Sequence, residues 1–261
     1  MFASDFLFDN QRASDLGLII CSFNGEFETA SGGEIEVNAI HTPGNDKFTF
    51  YGSQFNSVIT WNFSICKNPC LNENIFFCQH EESLIAKWLL HTNGYKTLQF
   101  DQEGYADITY FVYFNMVPHQ IDGKTVGFDL TATSNCGYGY TNILKRKAFI
   151  NSSSHLKINI HSDINTYILP IVRVRGQGFF TINNYKDIEL KHPILDKEIE
   201  LNISQEVTMD SETDIISGIQ SPSDFNYQFL HLIDGVNIIT TNSISDIEID
   251  IQYREPRRII L

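Results

Sequence analysis

The run Phe55-Asn56-Ser57-Val58-Ile59-Thr60-Trp61-Asn62-Phe63-Ser64-Ile65 decides the fold class. Phe55, Ile59, Trp61, Phe63 and Ile65 fall on one side of a period-two pattern, while Asn56, Thr60, Asn62 and Ser64 fall on the other. A β-strand sends successive side chains to opposite faces, so this pattern predicts a strand with one face on a core and the other in water. A second run, residues 105–117, puts Ile108, Tyr110, Val112, Phe114 and Met116 on one face, and Tyr105, Thr109, Phe111 and Tyr113 on the other. Both of its faces are expected to meet apolar neighbours.

One segment breaks the β pattern. Over residues 81–91 the apolar residues Leu84, Ile85, Trp88 and Leu89 recur at three- and four-residue spacing, and Gly94 follows where a left-handed helix cap is wanted. A single amphipathic helix is predicted there, with Trp88 anchoring it in a core. Residues 25–51 shift towards Gly, Ser, Thr and Asn, but 34–39 and 47–51 still alternate around Thr42-Pro43-Gly44-Asn45-Asp46. Turn chemistry between alternating runs predicts a hairpin. It carries few large apolar residues for a core of its own, so it is either an arm over a neighbouring subunit or a surface loop.

Beyond Leu144 the character changes. Asn151-Ser152-Ser153-Ser154 is a polar break, followed by short alternating runs: Leu156-Ile158-Ile160, Phe180-Ile182, Ile188-Leu190, Ile199-Leu201-Ile203, Val236-Ile238 and Ile247-Ile249-Ile251. Such spacing predicts a second, all-β sandwich domain. The expected division is residues 1–147 and 148–261, which also suits the 261-residue length.

Hydrophobic residues make up 42% of the chain, with 20 Phe and 11 Tyr, which is ample for two cores. Lys and Arg number 18 against 32 Asp and Glu, a net charge of −14, so the basic field that phosphate binding needs is missing. The basic clusters Lys145-Arg146-Lys147 and Arg257-Arg258 are too short for a groove and suit a solvated surface or an interface turn. No apolar run approaches the ~18 residues of a membrane span. Met1-Phe2-Ala3-Ser4-Asp5 lacks a signal peptide's basic start, so a soluble protein made in the cytoplasm is expected.

The five cysteines, an odd number, suit reduced thiols. Cys66, Cys70 and Cys78, with His80 nearby, invite a metal reading. Their spacing fits no zinc motif, and small hydrophobes in a strand and its loop are the simpler account. No phosphate loop, nucleophile elbow or metalloprotease helix occurs. Gly32-Gly33 and Gly137-Tyr138-Gly139 lie outside any strand-to-helix setting. The acid pairs Glu81-Glu82 and Glu248/Asp250 read as solvated faces, and His161 and His231 as isolated packed or surface residues. No catalytic, cofactor-binding or metal residue is therefore assigned, no cofactor is expected, and the chain is not expected to be an enzyme.

The order of features carries a resemblance. Phe6-Leu7-Phe8-Asp9-Asn10 followed by Ser14-Asp15-Leu16-Gly17-Leu18-Ile19-Ile20-Cys21-Ser22-Phe23 is similar to the start of the distal tail proteins of long, non-contractile-tailed bacteriophages. Ile85-Ala86-Lys87-Trp88-Leu89 with Tyr95-Lys96-Thr97-Leu98-Gln99-Phe100-Asp101 resembles that family's helix and following strand. Gly127-Phe128-Asp129-Leu130-Thr131-Ala132-Thr133 with Tyr138-Gly139-Tyr140 resembles the close of its N-terminal domain. Leu230-His231-Leu232-Ile233-Asp234-Gly235-Val236-Asn237-Ile238-Ile239 and Ile251-Gln252-Tyr253-Arg254-Glu255-Pro256-Arg257-Arg258 resemble its C-terminal ending. Asn10 stands where Gly is usual, a small departure because Asn tolerates positive φ.

The resemblance implies a mainly β chain: a β-sandwich-type ring domain with one helix and an extended hairpin belt, then a galectin-like β-sandwich. It further implies a hexameric ring at the tail tip, joining the tail tube protein to the tail-associated tip protein and anchoring receptor-binding proteins. Neither membrane nor specific nucleic-acid binding is expected. The alternative is a carbohydrate-binding module for host cell-wall saccharide. A galectin site needs a stacking Trp with clustered His, Asn and Arg, whereas Trp61 and Trp88 both lie in the N-terminal half.

Overall fold

The computed structural model describes residues 3–23, 29–31, 35–41, 43–44, 46–55, 58–90, 93–102, 106–150, 154–187, 189, 192–195, 197–243 and 245–258. The chain is mainly β and divides into two units, Met1–Tyr140 and Thr141–Arg257.

In the first unit the strands run Gln11–Arg12, Phe6–Phe8, Lys96–Phe100, Ile108–Ile121, Lys124–Ser134, Thr60–Lys67 and Leu18–Cys21 across one sheet, every neighbour antiparallel. Phe6 and Phe63 sit on strands separated by three others in that order, yet their rings are 5.4 Å apart. At ~4.8 Å per strand a flat sheet would hold them about 19 Å apart, so the sheet curls over a shared core. Phe6, Phe8, Trp61, Phe63, Phe100, Tyr110 and Phe114 fill it. The two layers expected of a sandwich are supplied by one sheet rolled on itself. Asp9 and Asn10 turn the first hairpin at φ 48° and 67°, the backbone a two-residue turn demands, so Asn10 does what glycine would do.

The initial run divides between two strands. Phe55 ends the strand Phe48–Phe55, Thr60 opens Thr60–Lys67, and Trp61, Phe63 and Ile65 are buried as their alternation predicts. On Ile108–Ile121 the face of Ile108, Tyr110, Val112 and Phe114 is buried; on the other face Thr109 is buried, Phe111 half-buried and Tyr113 exposed, while Tyr105 lies outside the described residues.

The helix spans Gln79–Leu89 and buries Ile85, Trp88 and Leu89. It begins before the expected residue 81 because the Glu81 carboxylate reaches back to accept from the Cys78 backbone N–H at 2.8 Å. It ends before residue 91 with Leu90 N–H donating to the Ala86 carbonyl at 2.8 Å, so Gly94, at φ 86°, turns the following loop and does not cap the helix. Trp88 stacks on Phe6 with centroids 5.5 Å apart, and its Nε1 donates to the Phe8 carbonyl at 3.1 Å.

The second unit is a sandwich of two five-stranded antiparallel sheets. One runs Leu144–Ile150, Ile247–Tyr253, Ile171–Gly176, Val207–Asp210 and Ile215–Ser217; the other joins Ser154–Ile160, Gly235–Ser243 and Gly178–Asp187, with His192–Pro193 and Ile199–Ile203 both pairing to the last. Both inner faces meet in a single aliphatic core that includes Val172, Val174, Ile249 and Ile251 from the first sheet and Ile158, Ile182, Leu201 and Ile239 from the second. The boundary falls ahead of residue 147 because Leu144–Ile150 pairs along its whole length with Ile247–Tyr253, which takes the basic triplet into the second unit.

Around Val236-Ile238 the burial lies one residue out of step with the apolar pattern. Asn237 is fully buried, along with Ile239 and Thr241, while Val236 and Ile238 are half-buried. The Asn237 side chain makes this possible: its Oδ1 accepts from Ile233 N–H at 2.9 Å and from Asn184 Nδ2 at 2.9 Å, and its Nδ2 donates to the Ile233 carbonyl at 2.8 Å. Ile188 and Leu190 lie outside the described residues.

Candidate assembly surface

Ile35–His41 and Phe48–Phe55 pair antiparallel as a separate two-stranded sheet. This is the predicted hairpin; the rest of the expected belt, from residue 25, falls partly outside the described residues. Cross-strand partners share a face, so the register Ala39↔Phe50 and His41↔Phe48 puts Val37, Ala39, His41, Phe48 and Phe50 together. A bulge at Asn38/Ala39, opposite Gly52 at φ 137°, inserts Tyr51 as an extra residue. Every described side chain over 36–41 and 46–51 is exposed, with Phe48 at 69%, Phe50 at 63% and Val37 at 55%.

The expectation of few large apolar residues on this arm needs correction. Val37, Ile40, Phe48, Phe50 and Tyr51 all stand on it, and all are exposed. A lone two-stranded hairpin is only marginally stable in water. An exposed apolar face on such an arm marks an interaction surface.

The residues weighed for chemistry are not brought together. Cys70 and Cys78 are exposed and Cys66 half-buried, and the described residues hold no group of His, Cys, Asp or Glu arranged to grip a metal. Cys66 shares a strand face with Cys21, whose thiol hydrogen-bonds to it and lowers its pKa to about 7 against the opposing effect of burial. Glu81 is held below the usual carboxylate range by Lys67, whose Nζ lies 2.7 Å away, and by the Cys78 N–H, so it staples the helix to the strand Thr60–Lys67. Glu248 and Asp250 sit on one strand face, 3.7 and 4.0 Å from Lys147 Nζ. His231 stacks on Tyr167 with centroids 5.0 Å apart, and His161 Nε2 lies 3.3 Å from Asn159 Nδ2. Gly139 packs against Ile108 and Tyr110, where a Cβ would clash at 2.4 and 2.9 Å; Gly32-Gly33 lies outside the described residues. Arg257 pairs with Glu255 at 2.8 Å and Asp163 at 3.6 Å. Trp61 and Trp88 are both core residues.

Sequence reasoning passed over several buried polar anchors. Asp5 accepts from the N–H groups of Phe6 and Ser14 and from the Ser14 hydroxyl, and Ser134 accepts from Ile59 N–H at 2.7 Å. Their signal is faint, because a lone Asp or Ser in a loop reads as solvated until its partners are placed.

Residues 1–136 match the family described as phage tail protein N-terminal domain, and residues 138–253 the family described as phage tail C-terminal domain. No curated protein matches the chain. Among solved structures, the crystal structure of the SPP1 Dit protein is similar with a TM-score of 0.62 and 11% identity, over 96% of this chain and 98% of that one. That protein is described as a paradigm of the hub adsorption apparatus in phages infecting Gram-positive bacteria. At that identity the likeness is one of fold.

Proposed function

Because the chain belongs to a family of phage tail proteins, carrying both its N-terminal and its C-terminal domain, we propose that it is a ring subunit of the distal tail of a long, non-contractile-tailed phage or prophage. Six copies close head to tail. The ring joins the tail tube protein to the tail-associated tip protein and anchors receptor-binding proteins. The subunit is made in the bacterial cytoplasm, ends at the virion tail tip, and catalyses no reaction. Its second unit is a galectin-like sandwich used as a scaffold.

The observation that carries this reading is the hairpin Ile35–His41/Phe48–Phe55, whose Val37, Phe48 and Phe50 share one exposed face. An arm of this kind gains stability only against another surface, and an identical neighbour supplies one at every position around a closed axis. The charge of −14 per copy agrees with genome passage, since acid facing a lumen keeps phosphate from adhering. Native mass spectrometry of the purified chain tests the reading: hexamers support it, and a different closed stoichiometry overturns the ring proposed here.

A further inference from the structure

The end of the sheet where Ile150, Ile247 and Gly176 lie side by side holds a cleft that the assembly reading does not use. It has a volume of about 480 Å³ and is lined by Phe149, Ile150, Arg175, Gly176, Asp246, Ile247 and Glu248. That volume lies within the ~300–1,000 Å³ range of small-ligand sites. Ile150 and Ile247 are buried, with their side chains in the sandwich core.

Phe149, Glu248 and Arg175 stand in one row across three adjacent strands, by the pairings Phe149↔Glu248 and Arg175↔Glu248. Phe149 is 82% exposed, the most exposed of the large hydrophobics among the described residues, and it stands beside charged neighbours rather than in an apolar patch. Arg175 is held in place: its Nε donates to Glu206 at 2.7 Å and its Nη1 lies 3.6 Å from Glu248. Lys147 Nζ approaches Glu248 from the other side at 3.7 Å. Gly176, at φ 150°, keeps side-chain bulk out, because a Cβ there would meet the Asp246 carbonyl at 2.8 Å.

We propose that this cleft is a binding site for a neutral pyranose saccharide, with Phe149 as the stacking platform and Arg175 and Glu248 as hydrogen-bonding partners for ring hydroxyls. A flat aromatic face covers the C–H side of a sugar ring, and fixed donors and acceptors beside it read vicinal hydroxyls. Glu206, Asp246, Glu248 and Asp250 outnumber Arg175 and Lys147 here, so an anionic polymer is disfavoured and an uncharged polar ligand is suited. A phenylalanine on an outward sheet face meets the need that a tryptophan meets in a galectin site. The site is independent of ring formation.

Saturation-transfer difference NMR on the full chain tests it, with methyl α-glucopyranoside, methyl β-galactopyranoside and N-acetylglucosamine as probes at millimolar concentration. The method works whether the chain is a monomer or a ring. At least one probe is expected to saturate. Phe149→Ala should weaken that binding about tenfold, and Phe149→Trp should retain it. Arg175→Ala should also weaken it, with thermal unfolding of all three variants unchanged. No saturation of any probe, or saturation untouched by Phe149→Ala, overturns the proposal.

Discussion

Replacing both Phe48 and Phe50 by alanine removes the apolar tip of the arm. The two rings are 69% and 63% exposed, so the isolated subunit gains little from them. Seating them against a neighbour withdraws about 130 Å² per ring, worth about 3 kcal/mol each at ~25 cal/mol/Å². Losing one ring therefore weakens each subunit contact by about two orders of magnitude, and losing both by about four, before any relaxation of the interface. Because the rings are exposed in the monomer, its own stability should change by less than about 0.5 kcal/mol. Sedimentation velocity over a concentration series, paired with thermal unfolding, separates the two effects. A double variant that assembles like the parent chain would refute the reasoning, and so would one that assembles poorly because its subunit unfolds.

Trp88→Ala should cost about 3–5 kcal/mol and lower Tm by several degrees in calorimetry, because it empties the stack on Phe6 and removes the indole hydrogen bond to the Phe8 carbonyl. Asn237→Ala removes one partner of the buried Asn184 amide and both bonds to the half-buried Ile233 backbone, and a denaturant titration should show a loss of about 2–3 kcal/mol. The Glu81 carboxylate is depressed by Lys67, so its contribution is present above the ordinary carboxylate pKa and is lost as pH falls through the lowered one; in acid unfolding, Glu81→Gln should narrow the gap between neutral and acid stability. Cys66, lowered to about 7 by the Cys21 thiol, should show an iodoacetamide rate rising through neutral pH, and Cys21→Ala should shift that rise to higher pH.

Alternation made most of the fold legible. Trp61-Phe63-Ile65 and Ile247-Ile249-Ile251 declare their buried faces because solvent punishes any register slip. The helix was legible from Ile85, Trp88 and Leu89, but its ends were not, since Cys78 is an unusual cap and Leu90 closes the last turn with a backbone bond alone. Leu144–Ile150 hid in a basic stretch, Lys145-Arg146-Lys147, whose side chains are exposed on an edge strand, which moved the apparent boundary. Asn237 defeats any apolar pattern, because only tertiary partners make its burial affordable. The arm's hairpin was visible from its turn residues, whereas the exposure of Phe48 and Phe50 depends on what the rest of the fold leaves uncovered. Phe149 was silent for the same reason: nothing in a strand's sequence says which face another layer will cover.

Electron microscopy of intact virions labelled with antibody against this chain addresses the central claim most directly. Label confined to the junction of tail tube and tip, over a six-fold ring in averaged images, is the predicted result. Label along the tube, on the capsid, or absent from the particle would contradict it.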